Sequence, residues 1–410
     1  MVTTFLEFLP EFMSIVFAVN IPSTKARKYV DAATFSCMMI NLTSYSVGLG
    51  LASVLDTHCS QAYGANAFEK IGIYFQTGVL ALGTLLVPLF VINWHTEHFS
   101  RYLLPGIPFL YVYELVCKVL QAQNILSPLV VCAALGNGVN IAASYGLAYR
   151  TSLGFRGIAI GCSLGNMTLA LLLVPYFAWQ PHHLTQWWTP PNFKAATRCI
   201  GAFLRFGAPG MLMLAVEMWG MEALSCRCVA AHSVLVNVNL LVYTTFEGLS
   251  VASTVRIGNC LGAGKASSAK LACVAAIKVT IALSSILAVL LYDFSGTIPR
   301  LFPDEGASAD LASTILAIWS PLTVVDGLIW GVFRGAGKQK SAAVTNTLAY
   351  YAAGIPVGAF LAFRCDFGVE GLWIGTGVGD VLVVNTLIAL MMWCWSWQQL
   401  AEDAKELTEL

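Results

Sequence analysis

Charge is absent from long tracts of this chain. Residues 32–55, 71–96, 119–149, 157–193, 228–246, 341–363 and 381–401 contain no Asp, Glu, Lys or Arg. Each tract matches or exceeds the roughly 20 apolar residues that carry a helix across a bilayer core. Hydrophobic segments recur twelve times, near 3–21, 31–56, 71–94, 103–123, 127–149, 155–178, 199–224, 229–256, 269–293, 307–332, 341–363 and 368–397. In hydrocarbon a backbone must satisfy its own hydrogen bonds, which leaves helices or a closed barrel. Barrel strands would alternate apolar and polar positions over about 10 residues. These tracts are continuous and long. The pattern therefore predicts an all-α polytopic membrane protein with twelve transmembrane helices.

The most polar long connection runs from Gln180 to Arg198. It suggests an N-lobe at 1–178 with a short first helix, a linker at 179–198, a C-lobe at 199–397 and a polar C-terminal tail at 398–410. Trp187 and Trp188 in the linker suit the level of lipid headgroups. A midpoint of this kind implies an internal repeat, and the sequence contains one. Shifted by 200 residues, Gly48-Leu-Gly-Leu-Ala-Ser53 lies on Gly248-Leu-Ser-Val-Ala-Ser253, with Gly64 on Gly264 and Lys70 on Lys270. Shifted by 214, Gly154-Phe-Arg-Gly-Ile-Ala-Ile-Gly161-Cys-Ser-Leu-Gly165 lies on Gly368-Val-Glu-Gly-Leu-Trp-Ile-Gly375-Thr-Gly-Val-Gly379. Small residues four apart let helix backbones approach closely in lipid. Two six-helix copies in parallel orientation imply a pseudo-two-fold axis along the membrane normal, as in transporters that bind substrate between such copies. The Lys and Arg distribution of the second half places both termini in the cytoplasm, although that of the first half runs the other way.

Composition narrows the class further. Of 410 residues 57% are hydrophobic and only 11% charged, against about 25% charged in soluble domains. Net charge is zero, so nothing argues for nucleic acid as a partner. The twelve cysteines are scattered through apolar segments and read as buried thiols. No basic stretch precedes Met1–Asn20, and Glu7 and Glu11 interrupt it, so a cleavable leader is not expected. Gly262-Ala-Gly-Lys-Ala-Ser267 lacks the spacing of a phosphate loop. Without a nucleotide site, transport energy must come from an ion gradient or from the substrate's own gradient. No cofactor and no metal site are expected.

Acids inside the membrane then become the informative residues. A charge at the bilayer centre costs at least roughly 2.5–3.5 kcal/mol. Glu217 lies deep in the seventh segment, after an unbroken apolar run. Glu222 follows five residues on, about 140° around a helix. Asp326 interrupts the tenth segment and Glu247 the eighth. Burial and a neighbouring acid can tune a carboxyl so that it binds and releases a proton. Glu217 and Asp326 are the leading candidates for proton and substrate coupling, with Glu222 behind them. The competing reading is an acid that only locks helices together. Trp219, Tyr243, Tyr350 and Tyr351 could receive a flat organic cation by cation–π contact. Asn41 could offer a polar contact, or an interhelical hydrogen bond.

The chain also resembles a known family. Gly50-Leu-Ala-Ser-Val-Leu-Asp-Thr-His-Cys-Ser-Gln-Ala-Tyr-Gly-Ala65 is similar to the signature that joins the second and third helices of MATE (multidrug and toxic compound extrusion) transporters. Ala252-Ser-Thr-Val-Arg-Ile-Gly-Asn-Cys-Leu-Gly-Ala-Gly264 is similar to its counterpart between the eighth and ninth. Leu120-Gln-Ala-Gln123, Phe333-Arg-Gly-Ala-Gly-Lys-Gln339 and Asn346-Thr-Leu-Ala-Tyr-Tyr-Ala-Ala-Gly-Ile-Pro356 fit the loops after the fourth and tenth helices and the eleventh helix. The pattern is nearest the eukaryotic branch.

The resemblance implies two six-helix lobes and proton-coupled export of organic cations, drugs or metabolites. It places the family's seventh-helix Glu on Glu217, a tenth-helix acid near Asp326 and a second-helix Asn on Asn41. The chain is shorter than the family pattern before its first helix, between Glu222 and Gly248, and by nearly a helical turn between Asp326 and Arg334. Expected partners are small amphipathic cations, protons and the bilayer of a plasma or vacuolar/endomembrane. Export of anionic metabolites or lipid-like molecules, or a truncated non-transporting scaffold, are the alternatives. A membrane-embedded enzyme would need converging histidines, but most of His58, His95, His98, His182, His183 and His232 fall in loops.

Overall fold

A computed structural model describes residues 41–95, 98–225, 247–294 and 328–409, with isolated positions among the first 40. Among the described residues every regular element is helical. A π-helical turn, Asn41–Tyr45, leads into α1 (Ser46–Ala52) and α2 (Val54–Gly64). There follow α3 (Phe68–Trp94), α4 (Ile107–Ala122), α5 (Ser127–Tyr149), α6 (Phe155–Trp179) and α7 (Phe193–Ser225). After a helix over 247–262 come α8 (Ala266–Asp293), α9 (Leu328–Gly335) and α10 (Gln339–Thr347). A second π-helical stretch, Leu348–Gly354, joins α10 to α11 (Ile355–Arg364), and α12 (Gly368–Cys394) and α13 (Trp397–Glu409) close the chain. Seven of the described helices are long and apolar enough to cross a bilayer.

The chain divides into two compact units, residues 2–211 with 407–410, and residues 212–406 with Met1. In the first, Leu51, Leu55, Tyr113, Leu115, Leu120 and Trp187 belong to one buried cluster. Trp187 is therefore a core residue rather than a headgroup anchor. Its ring packs edge-on against Phe75 at 5.3 Å, and its Nε1 donates to the His183 carbonyl at 2.7 Å. Trp188 remains half exposed. In the second unit Trp330, Phe333, Tyr350, Val384 and Leu387 share a cluster.

Four helix ends are built the same way, and they explain the sequence motifs that mark them. After α2, Asn66 has a positive φ, and the Ala67 amide donates back to Ala62 while that of Asn66 donates to Tyr63. After α4, Asn124 repeats this, with Ile125 donating to Leu120 and Asn124 to Gln121. Gly264 does so after the 247–262 helix and Gly337 after α9. This is the Schellman arrangement, which satisfies orphan carbonyls and needs a left-handed residue, so Gly or Asn. The glycine-ended and asparagine-ended motifs are thus stop signals.

The 214-residue repeat is visible in packing. A Cβ on Gly157 would meet the Leu147 and Ala148 backbone, one on Gly161 the Ser144 backbone nitrogen at 2.5 Å, and one on Gly165 the Asn140 Cβ at 2.7 Å. In the other unit Gly371 meets Leu361 and Ala362, Gly375 meets Gly358 and Gly354, and Gly379 meets the Tyr350 ring. Each of these partners lies 214 residues beyond a residue met in the first seam: Leu361 and Ala362 answer to Leu147 and Ala148, Gly358 to Ser144, Gly354 to Asn140, and Tyr350 to Gly136, which a Cβ on Gly165 also meets. The α5–α6 and α11–α12 seams are therefore one design used twice. Van der Waals packing at such seams replaces the hydrophobic drive that lipid cannot supply.

The terminal helix α13 is tied to the start of α10 by Lys338, whose ammonium lies 3.0 Å from Asp403. Burial pushes the Asp403 carboxyl up, but Lys338 and Gln399 outweigh it and hold the group below its ordinary value. A lowered carboxyl contributes stability above its unfolded pKa and loses it as pH falls through the folded one. Acidification through that window should lower the protection factors of the Trp397–Glu409 amides, measured against the intrinsic exchange rate at each pH, and Asp403→Asn should remove the step. Protection factors that do not change with pH in the parent would contradict this. Packing gives a second expectation. Gly375→Leu forces backbones apart and should cost about 2 kcal/mol or more. Gly138→Leu, where nothing lies within 4 Å, should be close to neutral. Equal thermal midpoints for the two variants in detergent would refute the seam.

Candidate functional site

Polar groups are costly at membrane depth, so those that persist define where chemistry can occur. In the first unit one group of them lies on the π turn, α3 and α4. The π turn at Asn41–Tyr45 shifts backbone pairing so that the Ser46 amide donates to the Asn41 carbonyl. The Tyr111 hydroxyl of α4 donates to the Ser44 carbonyl at 2.7 Å. Gly48 is needed for this, because a Cβ there would collide with the Tyr111 ring. Asn93 of α3 donates to Thr43 Oγ1 at 2.9 Å and to the Leu89 carbonyl at 2.9 Å. Asn41 itself is half-buried within this polar turn.

A buried ion pair lies further along the same helices. Lys118 of α4 is 3.3 Å from the Asp56 carboxylate of α2, whose side chain is 1% exposed. Glu114, one turn before Lys118, is also buried. His58 packs against Tyr74, tilted, and Phe206, edge-on, with ring centroids at 4.9 and 5.0 Å, and its Nδ1 lies 3.1 Å from the Val54 carbonyl.

In the second unit Glu247 meets Arg334 of α9 at 3.1 Å, so this acid is engaged in an ion pair. Thr254 donates to the Gly331 carbonyl at 2.8 Å and joins the same two helices. Tyr350 is buried in the second π-helical stretch, and its hydroxyl donates to the Asp380 carboxylate of α12. Tyr351, its neighbour, is 46% exposed and so does not share that environment. Glu217, Trp219 and Glu222 sit on the backbone of α7, but their side chains lie outside the described residues. Tyr243 and Asp326 lie outside them altogether. Among the described residues no group of three or more His, Cys, Asp or Glu could hold a metal ion.

Asp380 is the residue that sequence reading passed over. The available signal was plain enough: an acid twelve residues into a helix whose other charge, Glu370, sits in its first turn (380 − 368). It sits beside a charge-free tract, and in a glycine pattern that packing alone seemed to explain.

This all-helical, duplicated and lipid-facing architecture is that of a membrane transporter. The MatE family model matches residues 1–99 and 210–360. The chain belongs to that family, and so it is a multi-pass integral membrane transporter and not an enzyme. It is 29% identical over 97% of its length to multidrug and toxin extrusion protein 1 of Danio rerio, covering 71% of that protein. It is 30% identical over 90% of its length to multidrug and toxin extrusion protein 1 of Mus musculus, covering 69% of it. The crystal structure of the eukaryotic MATE transporter AtDTX14 superposes with a TM-score of 0.92 at 24% identity, covering 99% of this chain and 96% of that one. The fold is thus the twelve-helix one expected from the hydrophobic pattern.

The Asp56–Lys118 pair makes a prediction about assembly. Removing one partner of a buried pair typically costs about 3–5 kcal/mol, because the other charge is stranded. Lys118→Met should destabilise the chain by that order, and Asp56→Asn in the Lys118→Met background should recover part of the loss. Strictly additive effects on the unfolding midpoint would show that the pair contributes nothing.

Proposed function

We propose that this protein is a secondary-active exporter that exchanges protons for amphipathic organic cations. The observation that carries the proposal is Glu217, an acid on the long helix α7 inside an uninterrupted apolar run, in a chain of the MatE family. The relatives from zebrafish and mouse named above are multidrug and toxin extrusion proteins, which fits a broad cargo.

The chemistry needs little machinery. A carboxylate in a low-dielectric site binds either a proton or an organic cation, since either one discharges it. A proton arriving from the more acidic side displaces the cation, and on the other side the cation displaces the proton. The two ligands therefore move in opposite directions. Asp326 serves as a second acid of the same cycle, and Glu222 as an auxiliary one. Trp219, Tyr243, Tyr350 and Tyr351 supply aromatic faces, worth about 0.5–2 kcal/mol each toward a desolvated cation. Asn41 supplies a polar contact. The lobes at 1–178 and 199–397 rock about the cargo to expose it alternately.

The test is transport in vesicles. With an imposed pH gradient, the purified chain should accumulate a fluorescent organic cation, and a protonophore should collapse the accumulation. Glu217→Gln should reduce the gradient-driven rate to the level of empty vesicles while leaving the amount of membrane-inserted protein unchanged. Transport by Glu217→Gln at the parent rate would end the assignment.

A further inference from the structure

The geometry points to a further proton-binding site, made by Asp380 with Tyr350, at the middle of the last membrane-spanning helix. Proton binding there does not depend on the exchange proposed for Glu217, and neither residue has so far been assigned a part in it beyond Tyr350 as an aromatic contact.

Four observations converge on Asp380. The first is depth. It lies twelve residues after Gly368 and fourteen before Cys394 (380 − 368; 394 − 380), so about 18 and 21 Å from the two ends of α12. Ionisable residues at such depth are expensive and mark proton or substrate pathways.

The second is facing. On α12, residues three and four apart share a face. Thr376, Val383 and Val384, which neighbour Asp380 by that rule, are buried, whereas Val381, Leu382, Asn385 and Thr386 are exposed. Asp380 is on the inward stripe and is half-buried.

The third is the partner. Tyr350 is buried and donates its hydroxyl to the Asp380 carboxylate. A phenol can hold the anion by donating to it and remain bonded to the neutral acid, so both states have a hydrogen bond. The π-helical stretch Leu348–Gly354 displaces this segment from regular α register, and such bulges often occur at functional sites. Gly379 leaves room for the ring, since a Cβ there would lie 3.2 Å from Tyr350 Cδ1.

The fourth observation is the internal control. At the 214-residue offset Asp380 corresponds to Asn166 and Tyr350 to Gly136. The α5–α6 seam is built with the same glycines and with a neutral amide in place of the acid. A carboxyl is therefore not required to pack this seam.

Tyr350 faces Asp380 from the neighbouring helix. Other elements packed on α12 also carry charged groups. Lys270 and Lys278 of α8, which meets α12 at Cys273 and Met391, are exposed. Arg334 of α9 pairs with Glu247, Lys338 before α10 pairs with Asp403, and Lys340 and Arg364 are exposed. Glu370 lies in the first turn of α12, more than two turns away. The reaction is simple transfer: hydronium gives its proton to the carboxylate, leaving a neutral acid and water, and the reverse step discharges it.

Infrared difference spectroscopy on the full chain in lipid reads this directly. Stepping the pH down and up should raise and remove a protonated-carboxyl C=O band. Asp380→Asn should abolish that band, and Asn166 indicates that an amide fits the position. Tyr350→Phe should keep the band and move it to higher frequency, since a hydrogen bond is lost. In Glu217→Gln the Asp380 band should persist, which separates this site from the exchange proposed above. A band spectrum unaltered by both Asp380→Asn and Tyr350→Phe would overturn the assignment, whatever the transport assays show.

Discussion

Everything in this molecule follows from the cost of an unsatisfied polar group in hydrocarbon. The backbone meets that cost by forming helices. Their ends meet it with Schellman caps at Asn66, Asn124, Gly264 and Gly337. Side chains meet it by pairing, as Asp56 does with Lys118, Glu247 with Arg334 and Asp380 with Tyr350. Because each pairing has to be built, the polar residues inside the membrane form a short and specific set. That set is where transport chemistry can be located.

Duplication sharpens the reading of each unit. The glycines of α6 and α12 touch equivalent backbone positions of their neighbours, although few other residues of the two seams agree. What is shared reports on packing, and what differs reports on the work of one copy. Asn166 against Asp380 is the clearest difference. The π turn at Asn41–Tyr45 belongs to the same logic, since its Ser44 carbonyl is engaged by the Tyr111 hydroxyl.

Much of the fold was legible in the sequence, because the signals were physical ones. Charge-free tracts of spanning length announced the helices, and the glycine spacing at Gly157, Gly161 and Gly165 announced a close seam. The loop motifs were recognised as family marks, but their cause, a left-handed residue at a helix stop, needed backbone angles. The π turns were invisible, since a one-residue shift in hydrogen bonding leaves no mark in composition. Trp187 misled because an amphipathic ring suits an interface and a core equally well, and only its neighbours Phe75 and His183 decide. Asp380 was hidden by the glycines around it, and the partner of Glu247, Arg334, could be named only once the helices were placed.

Cation–proton exchange can be driven in either direction, and this offers the most direct measurement. Vesicles carrying the purified chain and a trapped pH-sensitive dye should be given an organic-cation gradient, with equal pH and equal sodium on both sides. Exchange predicts a proton flux that opposes the cation and that ceases when the cation gradient is removed. A cation flux with no accompanying change in internal pH would contradict it.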